Sequence, residues 1–204
     1  MTANRKLVDY ELALRPELSC MGAALYEYVL AADGVYVRGS RPGLEVMFQI
    51  GKCEVRGLAH VEAVFKWRLP IVSEEIVRAI WLHSEQAAEQ GLEKLFHLCW
   101  DGETFRLEIP DQTQTSASCR PLDSGPESSH ARALIEIHSH HEMPAFFSGT
   151  DNKDEQGFRI YGVIGRVFSA PELRARVGCH GYFWEIPARW VMEMPQGLKD
   201  CNDS

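Results

Sequence analysis

Two histidines separated by one residue close a short apolar run. Ala133 to Ile137 leads into His138-Ser139-His140-His141, and Asp151 follows eleven residues after the second histidine. If the run is a strand, residues two apart point to the same face, so both imidazoles present their nitrogens together. Two neutral imidazoles and a carboxylate make a three-ligand set, and a catalytic zinc commonly has three protein ligands and one open position for water. The eleven residues leave room for a turn and a helix start to bring Asp151 back. Other chemistry fits the same residues. A histidine pair beside a loop is often plain surface chemistry. Ser148-Gly149-Thr150-Asp151 is also an S-x-x-D capping box that needs no metal. The two readings are compatible, because a cap can hold Ser148 and Asp151 beside an ion.

The elements that must position these residues can be read from periodicity and punctuation. Ser73 is placed as an N-cap before Glu74 and Glu75, whose charges suit the positive end of a helix. Ile76, Val77, Ile80, Trp81 and His83 give that helix an apolar face, and Gly91 is placed to end it. Glu93 then opens a strand running to Trp100, Asp101-Gly102 turns, and Thr104 to Ile109 returns. Thr115 to Cys119 offers a further strand, and Leu122 to His130 reads as a loop. Ser148 to Gln156 reads as a short helix. Phe158–Phe168, Glu172–Val177 and Tyr182–Met192 read as strands. Upstream, Leu25 to Leu30 and Val35 to Arg38 flank a hairpin turn at Ala31-Ala32-Asp33-Gly34, Leu44 to Ile50 is another strand, and Lys52 to Leu58 a weaker one. Pro70 marks a boundary. The expectation is an α+β chain with a β-rich region over 1–70, a second domain over 71–196 built as a mixed sheet flanked by helices, and a flexible tail over 197–204.

The pattern of His138, Ser139, His140, seven residues, Ser148, two residues and Asp151 resembles the signature of the JAMM (MPN, or JAB-type) zinc metalloproteases, with the likeness extending over roughly Val72 to Met192. That resemblance implies one zinc ion per chain on His138, His140 and Asp151. It also implies an upstream glutamate as general base, standing where a helix gives way to a strand some 45 residues before the first histidine. Glu93 stands there, with Glu136, Glu74 and Glu75 as rivals. Ser148 would donate to the oxyanion of a tetrahedral intermediate, and water activated by zinc would be the nucleophile in hydrolysis of a peptide or isopeptide bond. One departure is His141, where the family often has proline. It could supply a fourth nitrogen, and a filled fourth position would make the site structural. A narrower resemblance, over HSHHEMPAFFSGTDNKDEQGFRIYGVIGR, is to the protein A family of the bacterial, plasmid-associated PRTRC systems. It implies a ubiquitin-like protein or peptide substrate and a ThiF-like activating-enzyme neighbour. The alternative within the same fold is a non-catalytic MPN-type scaffold.

Composition bounds the rest. Hydrophobic residues make up 45% and charged residues 25% of 204, which suits a folded chain with a real core. A net charge of -8, with no basic run interleaved with aromatics, argues against a nucleic-acid partner. No apolar run is long enough to span a membrane, the start lacks the apolar segment of a leader peptide, and a cytoplasmic protein with reduced thiols is expected. Six scattered cysteines without a CxxC pair suit neither a zinc ribbon nor a disulfide scaffold. His60, His83, His97, His130 and His180 have no partners at ligand spacing and read as structural.

Overall fold

A computed structural model describes residues 6–203. The first five residues, part of the segment read for a leader, and Ser204 of the tail lie outside it. The described residues fall into two compact units, one of residues 6–69 with Cys179–Tyr182 and one of Pro70–Gly178 with residues 183–203.

The first unit is a sheet of five strands in sequential order: β1 (Val8–Leu12), β2 (Tyr26–Ala31), β3 (Gly34–Arg41), β4 (Leu44–Lys52) and β5 (Val64–Trp67). The hairpin read at 31–34 joins β2 to β3 antiparallel, with Ala31 opposite Gly34. Two strands differ from expectation. β1, with only alternate residues half-covered, pairs parallel to β2, a non-local pairing that periodicity does not announce. The strand expected over Lys52–Leu58 is instead the end of β4 followed by irregular chain, and the next strand is β5.

The second unit is an α+β arrangement. Helix α1 (Glu74–Glu89) precedes β6 (Leu95–Trp100) and β7 (Phe105–Glu108). Its buried stripe is Val77, Ile80, Ser84 and Ala87, rather than one centred on Ile76 and His83. Ser84 is tolerated there because its hydroxyl donates to the Ile80 carbonyl at 2.8 Å, leaving no unpaired polar group in the core. Ser73 has the extended backbone of an N-cap but makes no side-chain cap bond. Glu193 Oε2 instead accepts the Glu74 N–H at 2.9 Å. Gly91 does end the helix, with φ of 69°, the left-handed conformation glycine adopts without strain.

A small hairpin follows, β8 (Gln112–Gln114) and β9 (Cys119–Pro121), so the strand expected at Thr115–Cys119 is in fact its turn. The stretch read as loop ends in a one-turn helix, α2 (Ser129–Arg132), capped by the Ser128 hydroxyl. Then come β10 (Ile135–Ser139), α3 (Asp151–Asp154), β11 (Phe158–Gly165), β12 (Glu172–Cys179) and β13 (Tyr182–Ile186). The long sheet runs β13-β12-β11-β10-β6-β7. It is mixed, with β10 parallel to β11 and antiparallel to β6. β11 stops before Phe168 because Arg166 takes a positive φ of 50°, and β13 stops at Pro187, beyond which Ala188–Trp190 forms a 3-10 turn. The tail is not frayed: β14 (Lys199–Asp200) adds to β12, and Leu198 and Asp200 are buried. Apart from α1, the helices among the described residues are single turns, so the flanking layer is thinner than expected. No helix of the described residues is long and apolar enough to cross a membrane. All six cysteines are free.

Candidate metal centre

β10 lies in the middle of the long sheet, and its alternation sorts its side chains. Ile135 and Ile137 are fully buried on one face; Glu136 and His138 point to the other. The strand ends at Ser139, and His140 stays in line because its N–H still donates to the Ile164 carbonyl at 2.7 Å. The chain then turns back tightly over β11. A Cβ at Gly165 would meet the Ala145 nitrogen and the Met143 carbonyl oxygen at 2.5 Å, so only glycine lets this backbone pass. That approach places the Pro144 carbonyl 3.1 Å from Nδ1 of His140. A carbonyl only accepts, so Nδ1 carries the proton and Nε2 of the neutral ring keeps its lone pair.

Asp151 opens α3. The Ser148 hydroxyl accepts the N–H groups of Thr150 and Asp151, both at 3.2 Å, while Asp151 Oδ2 accepts the Ser148 N–H. This is the reciprocal capping box read from the sequence. It engages one carboxylate oxygen and leaves the other, Oδ1, facing His138 Nε2 at 3.6 Å. Cap and metal cluster therefore coexist. One ligand atom each from His138, His140 and Asp151 lie within 4.8 Å of one another, and His141 is not part of that group.

These residues fit a zinc ion. His138 Nε2 is buried without a hydrogen-bond partner, an orphaned lone pair aimed at the Asp151 carboxylate. Ligand atoms on a tetrahedral zinc, with bonds of ~2.0–2.1 Å, stand roughly 3.3–3.4 Å apart, close to the His138–Asp151 separation. Burial also keeps the imidazoles neutral, as ligands must be: it pushes His138 down to about 4, against the opposing pull of Asp151, and lowers His140.

Glu93 stands between the end of α1 and the start of β6. Its Oε1 is 3.8 Å from His140 Nε2, and both side chains are buried. Burial, reinforced by the Asp151 charge, raises the Glu93 carboxyl to about 7. The rivals are occupied elsewhere. Glu74 pairs with Arg78 on the surface of α1, Glu75 is exposed, and Glu136 takes Arg159, His97 and His130 on one oxygen. Burial opposes the Glu136 charge, but those three neighbours outweigh it and hold the carboxyl well below its usual range. Glu93, His138 and Asp151 open onto a cleft of about 360 Å³, walled by Cys119, Arg120 and Pro121 of the small hairpin.

Residues 60–178 match the Prok-JAB family, the prokaryotic homologs of the JAB domain. The chain belongs to this family. No curated protein matches it in sequence. Among solved structures it is similar to the solution structure of protein DSY2949 from Desulfitobacterium hafniense, at 17% identity and a TM-score of 0.39, over 65% of this chain and 94% of that one. The JAB match spans the residues that build the cleft, from α1 through β12.

Two residues of this JAB domain escaped the sequence reading. His97 and His130 are not isolated structural histidines but converge on Glu136. The available signal was strand register, since β10 pairs antiparallel with β6 and sets Glu136 beside His97.

Proposed function

We propose that this chain is a zinc-dependent hydrolase of peptide or isopeptide bonds, with His138, His140 and Asp151 as ligands. The observation that carries the reading is the orphaned His138 nitrogen facing Asp151, with Glu93 buried 3.8 Å from His140 Nε2. Zinc held there supplies a Lewis acid that lowers the pKa of water toward ~7 and polarises a carbonyl. The rest falls to the chain. Glu93, buried beside His140, would as a carboxylate take a proton from the attacking water and return it to the leaving amine. Ser148 has both lone pairs engaged by backbone N–H groups, which leaves its own O–H to donate to the carbonyl oxygen as charge develops there. The Pro144 carbonyl holds His140 in the tautomer a ligand needs.

The narrower likeness to the PRTRC protein A family makes the tail of a ubiquitin-like protein, conjugated by a ThiF-like neighbour, the first substrate to try. The test is incubation of the zinc-loaded chain with that tail fused to a reporter. Cleavage that stops with a chelator and with Asp151→Ala is expected. Zinc binding without cleavage across a range of fusions would favour a scaffold.

A further inference from the structure

The face of β10 that presents His138 carries a second group of ligand-type side chains. Glu136 comes from β10, His97 from the facing position on β6, and His130 from the turn α2. We infer that His97, His130 and Glu136 form a second site for a divalent transition metal of the zinc class, separate from the His138–His140–Asp151 cluster and independent of how that cluster is read.

The geometry repeats that of the first cluster. One ligand atom from each residue lies within 4.8 Å of the others, as in the first group. The paired rings stand at 5.6 Å and 57° for His97 and His130, against 5.2 Å and 55° for His138 and His140. His97 Nε2 is 3.3 Å and His130 Nδ1 3.1 Å from Glu136 Oε2, close to the roughly 3.3–3.4 Å edge of a tetrahedron with zinc-like bonds.

The buried histidine supplies a separate observation. His97 is fully buried; its Nδ1 is 2.8 Å from the Ser129 hydroxyl, while its Nε2 lies 3.3 Å from Glu136 Oε2 without hydrogen-bond geometry. A ring held through one nitrogen with the other left without a hydrogen bond is how metal-bound histidines are oriented. His130 and Glu136 line the same cleft as His138 and Asp151, so an ion has a way in.

Arg159 is the competing cation, with Nη1 3.1 Å from the same Oε2. A carboxylate offers about four lone-pair sites over two oxygens, enough for a guanidinium and a metal together. Glu136 and His138 are two residues apart on a strand, a rise of roughly 6.6 Å, so the two centres stand side by side rather than sharing a ligand as in a two-metal site with ions ~3.5–4 Å apart. Because its ligands come from β6, β10 and α2, an ion here would tie the α2 turn to the sheet.

The test is metal stoichiometry of the full chain, stripped with a chelator, reloaded with zinc, freed of unbound metal and measured by elemental analysis. Two ions per chain are expected, falling to one in His130→Ala and one in Asp151→Ala. The isosteric Glu136→Gln guards against a folding artefact and is also expected to hold one. Wild-type protein with a single ion that Asp151→Ala removes and His130→Ala does not would overturn the second site, leaving the Arg159–Glu136 pair as a metal-free network, while the first site stands. A single ion lost in His130→Ala and kept in Asp151→Ala would overturn the first assignment and keep this one.

Discussion

The Ser139 hydroxyl accepts the backbone N–H of Lys94 at 2.9 Å, and the Ser139 N–H returns a bond to the Lys94 carbonyl at 2.9 Å. The residue between the two motif histidines is thereby fastened to the residue after Glu93. This pair of bonds ties base to ligands, while the Thr115 carbonyl, 2.8 Å from the Glu93 N–H, and Gln114 Nε2, donating to the Glu93 carbonyl at 2.7 Å, hold Glu93 to the small hairpin. Ser139→Ala removes the hydroxyl bond to Lys94. A buried donor left without its partner costs about 1–3 kcal/mol, and the strand start that carries Glu93 loosens. We expect a lower thermal midpoint and a fall in turnover that exceeds the fall in zinc affinity. Denaturation, a chelator competition assay and kinetics on one sample separate the three effects. Equal losses in affinity and turnover would mean that Ser139 serves the histidines alone.

Glu93→Gln keeps the shape and hydrogen-bonding reach of the side chain while removing its basicity. Zinc stoichiometry is expected to stay as in the wild type, and turnover to drop by ~10²–10⁴, the usual contribution of a positioned general base. Full activity in this variant would move the base to another residue.

The zinc motif was legible because its physics is local. A period of two puts His138 and His140 on one face, and the two residues between Ser148 and Asp151 close a capping box whatever else the chain does. Gly91 was legible for the same reason, since helix ends carry their own punctuation, whereas Glu93 was picked from its rivals by the family resemblance. What stayed hidden depends on pairing. His97 and His130 are 33 residues apart and belong to different elements; the β6–β10 register brings His97 to Glu136, and the α2 turn brings His130. The parallel edge strand β1 and the tail strand β14 are likewise made by partners distant in sequence. Ser84 was passed over in the α1 stripe because its polarity hides a hydroxyl satisfied by its own helix.

The opposite shifts at Glu93 and His138 predict which group gives up a proton when zinc binds. At pH 6, one unit below the Glu93 value of about 7, roughly nine-tenths of these carboxyls are protonated. Burial pushes His138 down to about 4, so its ring is neutral there. A dication arriving beside Glu93 favours its charged form, so the carboxyl must lose its proton, while His138 has none to lose. Calorimetry in buffers of different ionisation enthalpy should therefore show close to one proton released per zinc at pH 6 from this site. At pH 6, where water on zinc still holds its proton, this release should be much smaller in Glu93→Gln. Release that persists in Glu93→Gln would assign ordinary histidine titration to the site.

Arg176 reaches the metal cluster through α3. Its guanidinium, on a buried side chain of β12, lies 3.8 Å from the centre of the Phe147 ring and 3.7 Å from that of Phe183. Its Nη1 donates to Asn152 Oδ1 at 2.6 Å and its Nε to Glu155 Oε2 at 2.9 Å. Those two partners bracket the turn that begins with Asp151, so the planar fork of Arg176 sets where the carboxylate sits. Arg176→Met fills much of the space but removes the donors to Asn152 and Glu155, and stability should fall; burial already raises the Glu155 carboxyl to about 8, so it takes up a proton once Arg176 is gone. Zinc affinity should fall ~10–100-fold, the range seen when a support behind a metal ligand is lost. Arg176→Lys keeps the charge and loses the fork, and should recover much of the stability but little of the affinity. The comparison is read by denaturation beside chelator competition. A lysine variant that restores both equally would show that only the charge of Arg176 matters, and that the position of Asp151 is set by the Ser148 capping box alone.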